Sequence, residues 1–351
     1  MKIKILSLTV KNSGALEDVK IDFTNDGAAQ SVIVLGGANG SGKTTVLELI
    51  FSLIELLQFK DFEQYAELYN GSINSIFKYT EYAELELLIN KRKQYIFFNE
   101  PPSFSTEIHN NENKHGLVYK SSVDHIKIHD IYHSDISEGI FNLITSEKCK
   151  PLSLLTNKAT FVEPILHVPS LPIPSTIYFP YNRELSSVKG EQIHKEVIKY
   201  QWCYRYENKL NFQGSLESYL IWLDYAEPEE FKVILDFMNQ LDFGGKTFYI
   251  NRKELSVIVK TKNGQHSFDK LSSGEQNILI MLLELYRRLI PGSIVLIDEI
   301  ENSLHPAFYH HLAQNLLKLQ KQIPFQLILT THQPAFVKIF GESCTRILTE
   351  F

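Results

Sequence analysis

The segment Gly37-Ala38-Asn39-Gly40-Ser41-Gly42-Lys43-Thr44 constrains this chain more than any other. It fits the pattern G-x-x-x-x-G-K-[ST]. The apolar run Val32-Ile33-Val34-Leu35 precedes it, and a helical pattern over about residues 43–57 follows. A strand, a glycine-rich turn and a helix in that order make a phosphate-binding loop. The glycines let successive backbone N–H groups turn inward around an anion, and the helix N-terminus adds positive potential. Lys43 is expected to reach the β and γ phosphates of a nucleotide, and Thr44 to offer its hydroxyl to Mg²⁺. Asn39, Gly40, Ser41, Gly42 and Thr45 complete the expected nucleotide-contacting set.

Two further apolar strands end in reactive side chains. The run Ile294-Val295-Leu296-Ile297 delivers Asp298 and Glu299 at its C-terminal end, where α/β sheets bind ligands. Asp298 is expected in the Mg²⁺ shell beside Thr44, and Glu299 is expected to orient and activate the attacking water. The run Leu327-Ile328-Leu329-Thr330-Thr331 ends in His332, placed to sense the γ-phosphate or steady that water. Between these strands and the phosphate loop stands Leu271-Ser272-Ser273-Gly274-Glu275-Gln276. Ser272 reads as an N-cap with Glu275 as its N3 partner, a capping box that opens an amphipathic helix. The same helix start, with free N–H groups and serine hydroxyls, is an anion site. A compact chain would hold it far from its own phosphate loop, so the anion would belong to a second copy.

The order GGANGSGKTT, LSSGEQ, VLIDEIENSLHP and TTHQP resembles the phosphate loop, signature, acidic strand and switch histidine of ABC-type ATPases. The resemblance covers residues 1–60 and 245–351 well and the middle poorly. The long gap from Gly37 to Leu271, with LSSGE and ENSLHP, makes the chain more similar to the RecF, SMC and OLD-type ATPases than to transporter subunits. It implies ATP and Mg²⁺ as ligands and a homodimer or higher homo-oligomer as the working form. Ser272, Ser273 and Gly274 of one subunit would then complete the site around Lys43 of the other, with residues 302–305 crossing the interface. The pattern departs from the family in having no clean Q-loop glutamine. The strand 176–179 leads instead into Pro180-Tyr181-Asn182-Arg183. Either Asn182 or Arg183 faces the nucleotide, or Arg183 makes an ion pair.

The expected fold class is α/β: an ABC-ATPase head with a mixed or parallel sheet flanked by helices, an antiparallel β subdomain and a compact helical lobe, without a long coiled coil. Residues 1–60 form an N-lobe with the phosphate loop, and 61–175 an accessory β region with an insertion. Residues 176–245 form the helical lobe, with one helical stretch over 214–241, and 246–351 the C-lobe. At 351 residues and 44% hydrophobic, the chain can bury a sizeable core. The net charge of −6 denies it the overall basic field of a dedicated DNA binder, so nucleic acid remains possible only through local patches such as Lys91-Arg92-Lys93. The apolar stretches are broken by Glu48, Glu55 and Glu284 and are too short to span a membrane. With no signal-like start and three scattered cysteines, a cytoplasmic protein is expected. His125, His129 and His133 alternate as on a strand face, but metal sites usually add Cys or carboxylate ligands with hydrogen-bonded support around them, so metal binding is not the expected role.

Two functions fit. The first is a nucleotide-gated ATPase serving a separate effector such as a nuclease, resembling the ATPase subunits of Septu-like or PARIS-like anti-phage defence pairs. The alternative is a RecF-like DNA-maintenance ATPase that clamps DNA on binding ATP.

Overall fold

The computed structural model describes residues 2–56, 73–89, 91–99, 116–121, 126–132, 174–196, 202–208, 210–241, 243 and 245–348. The chain starts with strands β1 (Ile3–Ser13) and β2 (Leu16–Asp22), then the short pair β3 (Thr24–Asn25) and β4 (Ala28–Ala29). Strand β5 (Val32–Gly37) and helix α1 (Lys43–Leu56) flank the glycine-rich loop. Helix α2 (Ile73–Lys78) precedes β6 (Thr80–Ile89), β7 (Arg92–Phe98), β8 (Gly116–Ser121) and β9 (Ile126–Tyr132). Next come β10 (Thr176–Phe179), β11 (Cys203–Arg205), α3 (Leu216–Ala226) and α4 (Pro228–Asn239). A meander of β12 (Thr247–Asn251), β13 (Ser256–Thr261) and β14 (Gly264–Ser267) leads to α5 (Ser273–Arg288). The chain closes with β15 (Ile294–Ile297), α6 (Tyr309–Gln322), β16 (Gln326–Thr331), α7 (Pro334–Phe340) and β17 (Thr345–Leu348).

The central sheet has six strands in the order β11-β10-β15-β16-β5-β17, every pairing parallel. Its central strands β5 and β15 are apolar and buried because both faces are covered, while the edge strands β11 and β17 are mixed. On one face Ile33, Leu35, Leu296 and Ile328 pack with α1 and with the inner face of a second sheet, β2-β1-β6-β7-β8-β9. On the other face Val34, Phe179, Val295 and Leu329 pack with α3, α5 and α6. The α/β class with a parallel sheet between helices is thus the observed one, and the longest helix among the described residues is the 16-residue α5. The hairpin expected around residues 90–93 is β6–β7, in register from Ala83↔Phe98 to Ile89↔Arg92. It belongs to the same sheet as the N-terminal strands, since β6 also pairs with β1 along almost its whole length. His129 lies on β9, while His125 and His133 lie outside the described residues.

The single helical stretch expected over 214–241 is two helices. Pro228 occupies the first turn of α4, and Glu227 before it leaves helical geometry at φ −135°, ψ 64°. Proline disfavours the helical region for its predecessor while suiting the first helical position itself, so the chain breaks and restarts there.

Glu217 on α3 joins this lobe to the meander by accepting the backbone N–H of Val257 at 2.7 Å. Burial pushes its carboxyl up to about 7, although the Val257 N–H pulls the other way. The folded chain therefore holds a proton that the unfolded chain has released between about pH 4.5 and 7. Stability present below that window is lost as pH rises through it. Glu217→Gln keeps an acceptor for Val257 and is expected to raise unfolding free energy by about 2 kcal/mol at pH 8, with little change at pH 4. Urea titrations at the two pH values check this, and an equal change at both would remove titration as the cause.

Candidate nucleotide-binding site

The glycine-rich loop leaves the C-terminal end of β5 and turns into α1. Gly40 and Gly42 sit at φ +81° and +84°, in the left-handed region that glycine adopts without steric cost. A Cβ at Gly42 would lie 2.5 Å from a Leu16 methyl, so β2 packs directly against the loop. Asn39, Gly40 and Thr44 are exposed, Thr45 is half-buried and Ser41 is buried. Lys43 is buried, and its Nζ donates to the carbonyls of Gly37 (3.1 Å) and Ala38 (2.6 Å) and to Ser41 Oγ (3.3 Å). Burial lowers the pKa of this ammonium. Asp298, Glu299 and Glu301 oppose the shift without cancelling it.

Strand order brings the acidic pair to this loop. Because β16 lies between β5 and β15, the ends of all three strands converge on one edge of the sheet. Asp298, fully buried at the end of β15, accepts Thr44 Oγ1 at 2.9 and 3.2 Å and Thr330 Oγ1 at 2.7 Å. The next residue, Glu299, has φ +44°. Such a backbone persists in a non-glycine residue only where its surroundings over-determine it. Here the Glu299 N–H donates to Thr330 Oγ1 (2.7 Å), and its carbonyl accepts Asn302 N–H (2.9 Å) and Arg183 Nη2 (3.0 Å). The turn aims the Glu299 carboxylate outward, where Oε1 lies 3.9 Å from His332 Nε2. Glu301 accepts the backbone N–H of His332 and so orients the loop that carries the histidine.

Thr330, Glu301 and Arg183 thus shape the site beyond the residues that the motifs single out. A threonine pair closing the apolar run Leu327–Leu329 of β16 was the available signal for Thr330. Arg183 is buried, and its guanidinium donates to main-chain carbonyls. Burial brings its pKa down to about 10, so it stays charged at neutral pH. Asn182 beside it is exposed.

The donor set suits a magnesium nucleotide. Thr44 hydroxyl and Asp298 carboxylate are hard oxygens that touch one another, and the positive-φ glycines open a backbone cradle beside a lysine. Among the described residues no three His, Cys, Asp or Glu side chains are grouped to hold a metal by themselves. Mg²⁺ takes one or two protein ligands and completes its shell with phosphate and water, so Thr44 and Asp298 are the residues that would hold it.

The start of α5 forms the capping box. Ser272 Oγ accepts Glu275 N–H at 3.4 Å, and the Glu275 carboxylate accepts Ser272 N–H at 3.0 Å. Lys246 pairs with the same carboxylate at 2.8 Å. Ser272 and Ser273 are exposed, whereas Gly274 is buried. A Cβ at Gly274 would lie 2.6 Å from the carbonyl of Ser303, so only glycine lets the helix start press against the loop after Glu299.

The chain is similar to several known proteins. The chain is 37% identical to the Retron Ec83 probable ATPase of Escherichia coli over 102 residues, 26% of this chain and 18% of that protein. It is 27% identical to the Retron Vc95 probable ATPase of Vibrio cholerae over 200 residues, 49% and 38% of the two chains. With the Septu protein PtuA of Bacillus thuringiensis it shares 28% over 130 residues, 33% and 32%. The matched stretches therefore span well under half the length of each of these relatives. Among solved structures, the SMC head domain from Thermotoga maritima aligns with 96% of this chain and 92% of its own at 12% identity and a TM-score of 0.37. A dimeric bacterial ABC transporter cassette aligns with 99% and 94% at 15% identity and a TM-score of 0.39. A family model, AAA_15, described as an AAA ATPase domain, matches residues 1–337, and that span takes in the phosphate loop, the capped helix and the strand ends at Asp298 and His332. The chain belongs to this ATPase family.

Proposed function

We propose that the chain binds Mg²⁺-ATP and hydrolyses it as head-to-tail pairs, and that this cycle gates or scaffolds a separate effector protein in prokaryotic anti-phage defence. The observation that carries the hydrolytic part is the hydrogen bond between Thr44 and Asp298, 254 residues apart in sequence, with Glu299 and His332 beside it. When bound, Mg²⁺ supplies positive charge against the β and γ phosphates. Asn39, Gly40, Ser41, Gly42 and Thr45 bind phosphate through the loop, and Lys43 adds its charge. Thr44 and Asp298 hold the metal. Glu299 takes a proton from the attacking water, and His332 keeps that carboxylate and the water in line.

Pairing follows from the capped helix. Ser272 and Ser273 are exposed at the helix start, and the Glu275 carboxylate fixes that turn by accepting both the N–H and the hydroxyl of Ser272, which suits an anion presented to Ser273 by another copy. Ser273→Arg is expected to abolish turnover while leaving nucleotide affinity within about threefold, because it blocks the surface and spares the phosphate loop. Mixed with a Lys43→Ala chain it should recover at most roughly a quarter of parental activity, since only mixed pairs hold one intact site. Parental turnover by Ser273→Arg alone would exclude the head-to-tail arrangement.

The names of the relatives, two retron ATPases and a Septu protein, support the defence setting. A nuclease or other toxin encoded beside this chain is expected as the effector. Co-expression followed by affinity purification with and without ATP tests it, and no association in either state counts against gating.

A further inference from the structure

Arg183 lies outside the nucleotide motifs, at the centre of a closed hydrogen-bond circuit. Its Nη1 donates to the carbonyls of Pro180 and Asp298, both at 2.7 Å, and its Nη2 to that of Glu299 at 3.0 Å. Its Nε donates to Asn277 Oδ1 at 3.3 Å, one turn into α5. Asn277 Nδ2 in turn donates to the carbonyl of Asn302 at 2.7 Å, and Asn302 Nδ2 donates to that of Tyr181 at 2.6 Å. The circuit thereby returns to the loop that carries Arg183. Arg183 and Asn277 are both buried, at 3% and 2% exposure. A fork of fixed geometry in such a site permits few alternative arrangements of its acceptors.

We infer that Arg183, through Asn277 and Asn302, is a positioning residue that locks the start of α5 to the Asp298–Glu299 peptide. Each chain then offers its own catalytic carboxylate and its serine-capped helix as one rigid body. This rests on the paired ATPase reading, in which those two parts serve different nucleotide sites. Ordering either site then orders the other chain's contribution, so turnover in the two sites is coupled.

The tight contact of Gly274 with Ser303 brings the same two segments together independently of the polar circuit. Removing a polar link should therefore loosen their register without separating them. Arg183→Lys keeps a buried cation but not the fork, and Asn277→Leu keeps the fork but cuts its link to α5.

The test measures nucleotide affinity, kcat, the Hill coefficient for ATP and the thermal midpoint in parent and variants. The parent is expected to show a Hill coefficient above 1. Arg183→Lys should lower kcat about 100-fold, because the Glu299 peptide is no longer held in place, with affinity within about threefold. Asn277→Leu should bring the Hill coefficient to 1 at retained affinity. If either variant fails to fold, Asn302→Ala, which removes the link to Tyr181 and the weaker one from Ser303 Oγ (3.3 Å), should still lower the Hill coefficient. Variants that lose thermal stability but keep parental kcat and cooperativity in the folded fraction would reduce the circuit to a structural tie and overturn the inference. A non-cooperative parent would overturn the coupling. A parent with no ATP turnover would instead sink the ATPase reading beneath it.

Discussion

Glu299→Gln is expected to slow ATP turnover by about 10²–10⁴-fold while nucleotide stays bound and the paired state accumulates. The substitution keeps shape and the outward aim set by the φ +44° turn, because that turn is held through main-chain bonds to Thr330, Asn302 and Arg183. What it removes is the basic oxygen 3.9 Å from His332 Nε2. The phosphate loop and the Thr44–Asp298 pair are untouched, so binding should persist, and with hydrolysis blocked the ATP-bound pair has no chemical exit. Single-turnover assays and sedimentation in ATP together check the result. Parental hydrolysis by this variant would show that another group accepts the water's proton.

Lys43→Ala should act at the opposite step and weaken nucleotide binding by at least about 100-fold. The ammonium is buried and surrounded by acceptors, with Asp298, Glu299 and Glu301 close enough to affect its ionisation. Without it the site presents three carboxylates to a highly charged anion and no compensating cation from the loop. Two carbonyls, of Gly37 and Ala38, also lose their donor. Titration with a fluorescent nucleotide measures the loss. The variant must remain folded by thermal melt for the comparison to hold, and parental affinity in a folded variant would take Lys43 out of the nucleotide site. The two substitutions separate binding from chemistry: Lys43→Ala should be monomeric in ATP, and Glu299→Gln paired.

Much of the fold and of the site was legible because its signals are local. The phosphate loop is eight contiguous residues whose glycines dictate their own backbone. The strands before Asp298 and His332 are apolar because both sheet faces are covered, and the capping box is set within four residues of chain. These patterns carry chemistry in the spacing itself. The break at Pro228 was also readable, since a proline bars helix in the residue before it.

What only the tertiary structure decided are partnerships between distant residues. That β16 lies between β5 and β15 makes Thr330 the bridge between Asp298 and the Glu299 N–H, and no local pattern reports strand order. Arg183 holds carbonyls 115 and 116 residues away, partners that its own loop does not announce. Gly274 looks like an ordinary signature glycine, yet its lack of a Cβ is required by the carbonyl of Ser303. The sequence by itself determined which side chains stand in the glycine-rich loop, at the helix cap and at the strand ends, because backbone geometry over a few residues encodes them. The register of those groups was left to packing, where a buried donor finds its acceptor only after the sheet and its two covering layers have closed around it.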